Sequence, residues 1–444
     1  MTHEYDVIIV GGGVTGTSLL YVLSRYTDIR KILLVEKYDD FALLNSNSSN
    51  NSQTLHFGDI ETNYSEEHAK KTKKAAERLL RYTEALPKAV KEEMIRSCQK
   101  MVLAVGEDEI GLIDKMYSKW LKELFPGLIR IDRKEVGKLE PNIVKGREIG
   151  EELAALLSDK GYMVDFGKLA TSFAKGAIDS GKGRVEALRG VKIDSIERRG
   201  ESYMLWSGNE GYKARFVVFA TGAYSLFFAK SLGYDRNLSV LSIGGNFYYT
   251  PKVLNGKVYR VQIGGIPFAA VHGDPDITNP NITRFGPTVT VGIQLERRHS
   301  DTILDYLRTF DFDIKTLESL WNIFSDKDIR RILGRNAIYD IPFFGKHSFL
   351  KNETAKIVPS IRHSDLKFAK GVGGIRPQII DEDKKSLILG AGKIVEDGAI
   401  FNITPSPGAS SCLESALEDT ITITKQLGAG FHKDDFENEL GLIL

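Results

Sequence analysis

The chain has 444 residues, 42% of them hydrophobic and 27% charged, with a formal net charge of +1. That length exceeds one compact core and suits two intertwined domains, while the balanced charge gives no global drive toward nucleic acid. The two cysteines, Cys98 and Cys412, form neither a CxxC pair nor a metal-ligand cluster, so reduced thiols in a cytosolic setting and no metal site are expected.

The first element is an apolar strand over residues 7–10 that runs into Gly11, Gly13 and Gly16, the three positions of GxGxxG. A helix-like segment and a second apolar strand, 32–35, follow and end at Glu36. Gly11 permits the tight turn, Gly13 lets a pyrophosphate approach the backbone, and Gly16 lets helix pack on strand. The helix N-terminus offers N–H groups to phosphate, and Glu36 stands where a carboxylate can accept hydrogen bonds from a ribose. In register, these parts specify a dinucleotide, either NAD or FAD. Residues 45–54, NSNSSNNSQT, read by composition as a polar, disordered loop.

Amphipathic helices are predicted over 65–86, 107–125 and 161–180. A strand pair is expected at 185–198 and 202–207, and a buried strand at 214–220 leads into Thr221 and Gly222. Residues 246–250, 257–263, 268–272 and 288–292 suggest an antiparallel sheet with Gly/Pro/Asn turns. A helical stretch, 300–336, precedes short strands at 387–389 and 399–402 and a turn that opens a final helix. This order implies an α/β (α+β overall) chain, a Rossmann-like domain with an antiparallel-sheet domain inserted into it. The expected division is 1–65, 150–232 and 350–444 for the nucleotide, and 66–149 and 233–349 for the substrate or cap domain. The polar start, MTHEYD, is not read as a signal peptide, and no apolar run approaches the ~20 residues that span a bilayer.

Four pieces, 11–36, the ATG at 220–222, the GGIRPQ at 373–378 and the SPGASS at 406–411, together resemble the D-amino-acid oxidase-like FAD oxidoreductases. Within that group, NSQTLHFGDIETNYS (51–65), PFAAVHGDPD (267–276), FGPT (285–288) and FNITPSPGASSC (401–412) resemble the malate:quinone oxidoreductases, in the shorter form of epsilon-class bacteria. NSQTLHFGD and PFAAVH are also similar to segments of L-2-hydroxyglutarate dehydrogenases, from which this chain departs at Gln53, a glycine there. The resemblance implies FAD and reverses the reading of 45–54, which would run ordered along the flavin. It implies FAD contacts at Gly11, Gly13, Val14, Gly16, Glu36 and Lys37, then at Ser52, Gln53, Thr54 and Val191. The remaining implied contacts are Thr221, Gly222, Gly374, Arg376, Gly408, Ala409 and Ser410. The implied reaction is oxidation of L-malate to oxaloacetate, with L-lactate or L-2-hydroxyglutarate as alternative donors. Electrons would pass to quinone, with oxygen the alternative acceptor, at the cytoplasmic face of the cell membrane.

Such chemistry needs a carboxylate anchor and a base. Arg376, between a glycine pair and Pro377, offers a planar donor fork that matches a carboxylate. His272 is the favoured base, with Asp274 to orient its ring or merely to make a turn. His56, in the flavin-side segment, is the other candidate. Thr288 and Gln53 are expected to touch substrate, Thr288 having a buried strand threonine as its plain alternative. The N–H groups of Gly408, Ala409 and Ser410, opening the last helix, would stabilise negative charge on the reduced cofactor. Two segments are candidates for peripheral membrane contact: 68–82, basic on one face, and 330–350, where bases mix with Phe343, Phe344 and Phe349.

Overall fold

Val7, Ile8, Ile9 and Val10 alternate between two cores, which places their strand at the centre of the molecule. In the computed structural model, which describes residues 2–180, 183–262, 270–341, 344–388, 392–403 and 408–441, strand Thr2–Val10 lies parallel between Lys31–Val35 and Glu210–Phe219. Arg184–Leu188 extends the sheet beyond Lys31–Val35, and Ala399–Ile403 extends it beyond Glu210–Phe219, both parallel. Val7, Ile9, Ile32 and Leu34 point to a face covered by helices Val14–Tyr26, Phe166–Ile178 and Cys412–Leu427. Ile8, Val10, Leu33 and Val35 point to the other face, against strands Leu238–Gly244 and Ile375–Asp381. A strand buried on both faces reads as a continuous apolar run, as this one does. Gly16 is needed for the helix to sit so close: a Cβ there would stand 1.9 Å from the Gly11 carbonyl oxygen.

A second sheet runs Lys367–Phe368, Tyr248–Pro251, Ile282–Gly286, His272–Pro275, Lys257–Arg260, Lys100–Val105, Leu153–Ser158 and Ile129–Asp132 among the described residues. All its pairs are antiparallel except Lys257–Arg260 with Lys100–Val105. The expected strands at 246–250 and 257–263 are therefore present with shifted ends. The expected 268–272 begins at His272, and residues 263–269 lie outside the described residues. Residues 290–292 leave this sheet and pair instead with Leu238–Gly244. Leu153–Ser158, grouped by sequence order with the nucleotide-binding segments, pairs with Lys100–Val105 because its alternating residues fill two cores, Ala154 and Leu156 one, Leu153 and Ala155 the other.

Two local expectations change for identifiable reasons. Residues 162–164 are a strand paired with Ile95–Ser97, and the helix begins only after Asp165, whose carboxylate accepts from the Gly167 and Lys168 N–H groups. Residues 185–198 are two strands, since the chain breaks between them to let the Val191 N–H reach the Glu36 carbonyl.

The polar stretch 45–54 is ordered. Its asparagines bond to its own backbone: Asn50 Nδ2 donates to the Leu44 carbonyl, and Asn51 Nδ2 to those of Asn45 and Asn47. From outside, the buried Arg284 guanidinium donates to the carbonyls of Ser48 (3.2 Å), Ser49 (3.4 Å) and Asn51 (3.0 Å), lies 3.5 Å from Asp276 and stacks over Phe247 at 4.4 Å. We expect Arg284→Leu, which strands Asp276 and these carbonyls in the interior, to cost about 3–5 kcal/mol. Urea unfolding will measure this, and hydrogen exchange will show early loss of protection across 45–53.

Candidate active site

A cavity of about 340 Å³ begins at Glu36 and Val191, passes Gly11 and Gly13, and ends among His56, Tyr259, His272 and Arg376. At the first end the buried Glu36 carboxylate accepts from the Gly12 N–H (2.6 Å) and the Tyr38 N–H (2.9 Å). Burial outweighs these bonds and pushes its proton affinity up. Helix Val14–Tyr26 opens with no side-chain cap from Gly13, and the Val14 N–H meets Ser46 Oγ at 3.0 Å. Gly13 has open space toward the cavity, with only Ser46 Oγ within 4 Å of a would-be Cβ. A long groove with a glycine turn, a helix start and a carboxylate at one end fits an adenine dinucleotide.

At the far end, strand Ile375–Asp381 presents Arg376, whose guanidinium has no hydrogen-bond partner among the described residues. Burial pushes its pKa down to about 10, and one of its nitrogens would stand 3.3 Å from a Cβ at Gly245, so the absent side chain there leaves it room. An uncommitted guanidinium in a cavity is an anion site.

The two histidines are held differently. His56 sits in the irregular segment after 45–54, fastened by its N–H to Ser410 Oγ (3.0 Å), while Ser410 donates onward to the Thr54 carbonyl (3.3 Å). Its Nδ1 lies 2.6 Å from the Glu61 carboxylate, and no described residue engages its Nε2. Burial would raise the Glu61 carboxyl, but the bond to His56, its charge and that of Lys100 hold it at about 2. His272 is buried and stacks flat on Tyr259 at 4.2 Å, with Nδ1 3.2 Å from the Ala270 carbonyl and Nε2 3.0 Å from the Asp274 carboxylate but outside hydrogen-bond geometry. Burial would raise Asp274 as well, yet Lys257 at 3.3 Å, His272 and Arg284 hold it at about 2. Asp274 thus does contact the imidazole, and the plain turn alternative does not describe it.

Most of the named cofactor residues line this one cavity: Gly11, Gly13, Val14, Glu36, Lys37, Ser52, Thr54, Val191, Thr221, Gly222, Gly374, Arg376, Gly408, Ala409 and Ser410. Three do not. Gly16 packs helix on strand. Gln53 has its amide committed elsewhere, Nε2 to the Ser48 carbonyl and Asp276, Oε1 to the Ile277 N–H. Thr288, expected to touch substrate, lies between strands Ile282–Gly286 and Thr290–Gly292 and is fully buried, its hydroxyl accepting from the Asn246 N–H at 2.9 Å. The named Ser406 and Pro407 of the terminal turn lie outside the described residues. Sequence reasoning missed Glu61, Tyr259, Asn63 and Gln262, which also line the cavity. Glu61 was within reach, since a histidine and a carboxylate five residues apart in one segment suggest an oriented base. The strand residue Tyr259 gave no such signal.

The membrane candidates also look different in three dimensions. On helix Glu66–Glu84, Lys70, Lys71, Lys74 and Arg78 are paired with Glu66, Glu67 and Glu414. Phe349 is buried and stacks on Tyr248 at 4.3 Å, Phe344 is exposed, and Phe343 lies outside the described residues. No helix among the described residues is long and apolar enough to cross a membrane.

Comparison with known proteins places this geometry. The family model described as FAD dependent oxidoreductase matches residues 6–392. A probable malate:quinone oxidoreductase of Campylobacter jejuni is 40% identical over 99% of this chain and 99% of its own length. The malate:quinone oxidoreductase of Helicobacter pylori is 38% identical over 99% and 98%. The fold is shared with the L-alpha-glycerophosphate oxidase of Mycoplasma pneumoniae solved with FAD bound, at a TM-score of 0.65, 18% identity and 95% coverage of both chains. The groove is therefore an FAD site, and the chain belongs to the malate:quinone oxidoreductase family of FAD-dependent oxidoreductases.

Proposed function

We propose that this enzyme oxidises L-malate to oxaloacetate and delivers the electrons to a quinone at the inner face of the cell membrane, with the cytoplasm supplying malate. The observation that carries the reading is the uncommitted Arg376 guanidinium sharing one cavity with the His56–Glu61 pair. FAD, when bound, supplies the two-electron acceptor for the hydrogen on C2. Arg376 grips the C1 carboxylate, and the side-chain amides of Asn63 and Gln262, which have no partner among the described residues, meet the distal one. His56 Nε2 takes the hydroxyl proton, while Glu61 holds the Nδ1 proton and stabilises the imidazolium that forms. We favour His56 over His272 as the base because Glu61 holds His56 Nδ1 and no described residue engages its Nε2, whereas the His272 ring is stacked flat on Tyr259 with Nε2 turned to the buried Asp274. His272 then acts by fixing Tyr259, on which it stacks. Gly408, Ala409 and Ser410, in the turn before helix Cys412–Leu427, would lend their N–H groups to charge on the reduced cofactor. The proposed division keeps the parallel sheet as the nucleotide domain and the second sheet as the substrate domain, with Leu153–Ser158 and Lys367–Phe368 moved to the latter.

Anaerobic addition of L-malate to the purified holoenzyme should bleach the flavin band faster than L-lactate or L-2-hydroxyglutarate does, and a soluble quinone should restore it faster than oxygen. Preference for another hydroxy acid would overturn malate as substrate. His56→Gln should slow stopped-flow reduction ~10²–10⁴-fold, and Arg376→Gln should raise the malate KM steeply, while His272→Gln retains most of the reduction rate.

Glu61 and Asp274 both have folded pKa values depressed below the ordinary carboxylate range. Their stabilisation is complete above that range and is lost as pH falls through it toward about 2. Urea midpoints should therefore drop steeply on acidification below about pH 4.5, and less steeply in Asp274→Asn, whose baseline stability is lower.

A further inference from the structure

Helix Ile314–Ser325 carries two apolar stripes. Thr316, Ser319 and Ile323 are buried, and Leu320 and Phe324 pack on the core that also holds Ile379 and Ile380 of the strand bearing Arg376. That stripe accounts for the helix's place in the fold. The second stripe, Ile314, Leu317 and Trp321 at spacings of three and four, faces outward at 75%, 59% and 74% exposure. Just upstream, Phe312 is 59% exposed and Leu304 68%. A lone exposed leucine needs no explanation, but five large apolar side chains within eighteen residues do.

We propose that this stripe is the surface by which the enzyme sits on an anionic lipid bilayer. The next helix, Lys327–Tyr339, packs against it. It exposes Lys327, Arg330 and Arg331, none in an ion pair among the described residues, in contrast to the paired lysines of helix Glu66–Glu84. Apolar side chains and a tryptophan beside unpaired cations match the interior, interface and headgroups of such a membrane. A second copy of the chain is a poorer occupant, because a twofold contact would bring two cation rims together. The inference rests on the quinone reading, since a lipid-dissolved acceptor is met at a bilayer. The apolar stripe also lies one layer away from the strand that carries Arg376.

The test uses the full-length holoenzyme and vesicles of phosphatidylcholine with or without phosphatidylglycerol. Wild type should cosediment with the anionic vesicles and shift its tryptophan emission to the blue. Leu317→Asp/Trp321→Asp should weaken binding at least ~10-fold, an effect of losing buried apolar area, yet keep malate oxidation with a water-soluble dye. Arg330→Glu/Arg331→Glu should lose only the preference for anionic vesicles. Undiminished binding by the Leu317/Trp321 variant, no binding by wild type, or a wild-type dimer that this variant dissolves in sedimentation velocity would each overturn the proposal. Failure of a soluble quinone to reoxidise the malate-reduced flavin of wild type would instead count against the quinone reading, so the two failures are distinguishable.

Discussion

The buried guanidinium of Arg284 is the point on which the active end of the molecule depends. It arises from the second sheet and reaches three consecutive-region carbonyls, those of Ser48, Ser49 and Asn51, in the wall of the cofactor groove. A fully buried cation is costly unless its donors are met. Here three carbonyls, Asp276 and the face of Phe247 meet the two terminal nitrogens, and only Nε is left without a partner among the described residues. The consequence runs both ways. The sheet gains a paired charge, and an asparagine-rich stretch with no apolar anchor of its own gains a fixed position. Ser52, Thr54 and His56 follow directly in sequence, so their places in the cavity are set from this anchor.

A pattern of buried charge continues outward from it. Lys257 and Lys100 stand opposite one another on neighbouring strands, both fully buried. Each is neutralised by a different carboxylate, Lys257 by Asp274 and Lys100 by Asp59 at 2.6 Å, with Ser158 also bonded to Asp59. Through Asp274 the first pair fixes His272, and His272 fixes the plane of Tyr259. The electrostatic layer beneath the cavity thus gives its floor a defined shape. It leaves Arg376, above it, as the cation still available to an outside anion.

The parts legible in the sequence are those where one local pattern has one physical solution. Residues 7–10 and 32–35 are apolar without a break because both faces of a parallel sheet are covered, and Gly11 and Gly16 leave no room for a side chain. The turn before helix Cys412–Leu427 and the glycine pair before Arg376 are legible through motif context, and the cavity gathers them. What could not be read depends on distant partners. Composition makes 45–54 a loop, and only Arg284, more than two hundred residues away, makes it a wall. Gln53 and Thr288 carry the right chemistry for a substrate contact, but backbone groups nearby claim it first. The two histidines differ in which way each ring is turned and what it stacks on, a property of tertiary structure alone. Leu153–Ser158 shows the same limit for topology: an apolar strand does not announce which sheet it joins.

Ser410 bonds to both ends of the short segment that carries His56, and strand Ala399–Ile403 lies beside Glu210–Phe219 in the central sheet. Both pieces come from the last tenth or so of the chain, and the glycine turn they help enclose comes from its first sixteen residues. On the ribosome, therefore, the nascent protein exposes its nucleotide-binding start long before it can close around anything. Contacts of such long sequence separation form slowly. Capture of the cofactor is a late event in biogenesis, and a chain that stalls short of the final helix carries an open, apolar half-groove that chaperones must shield.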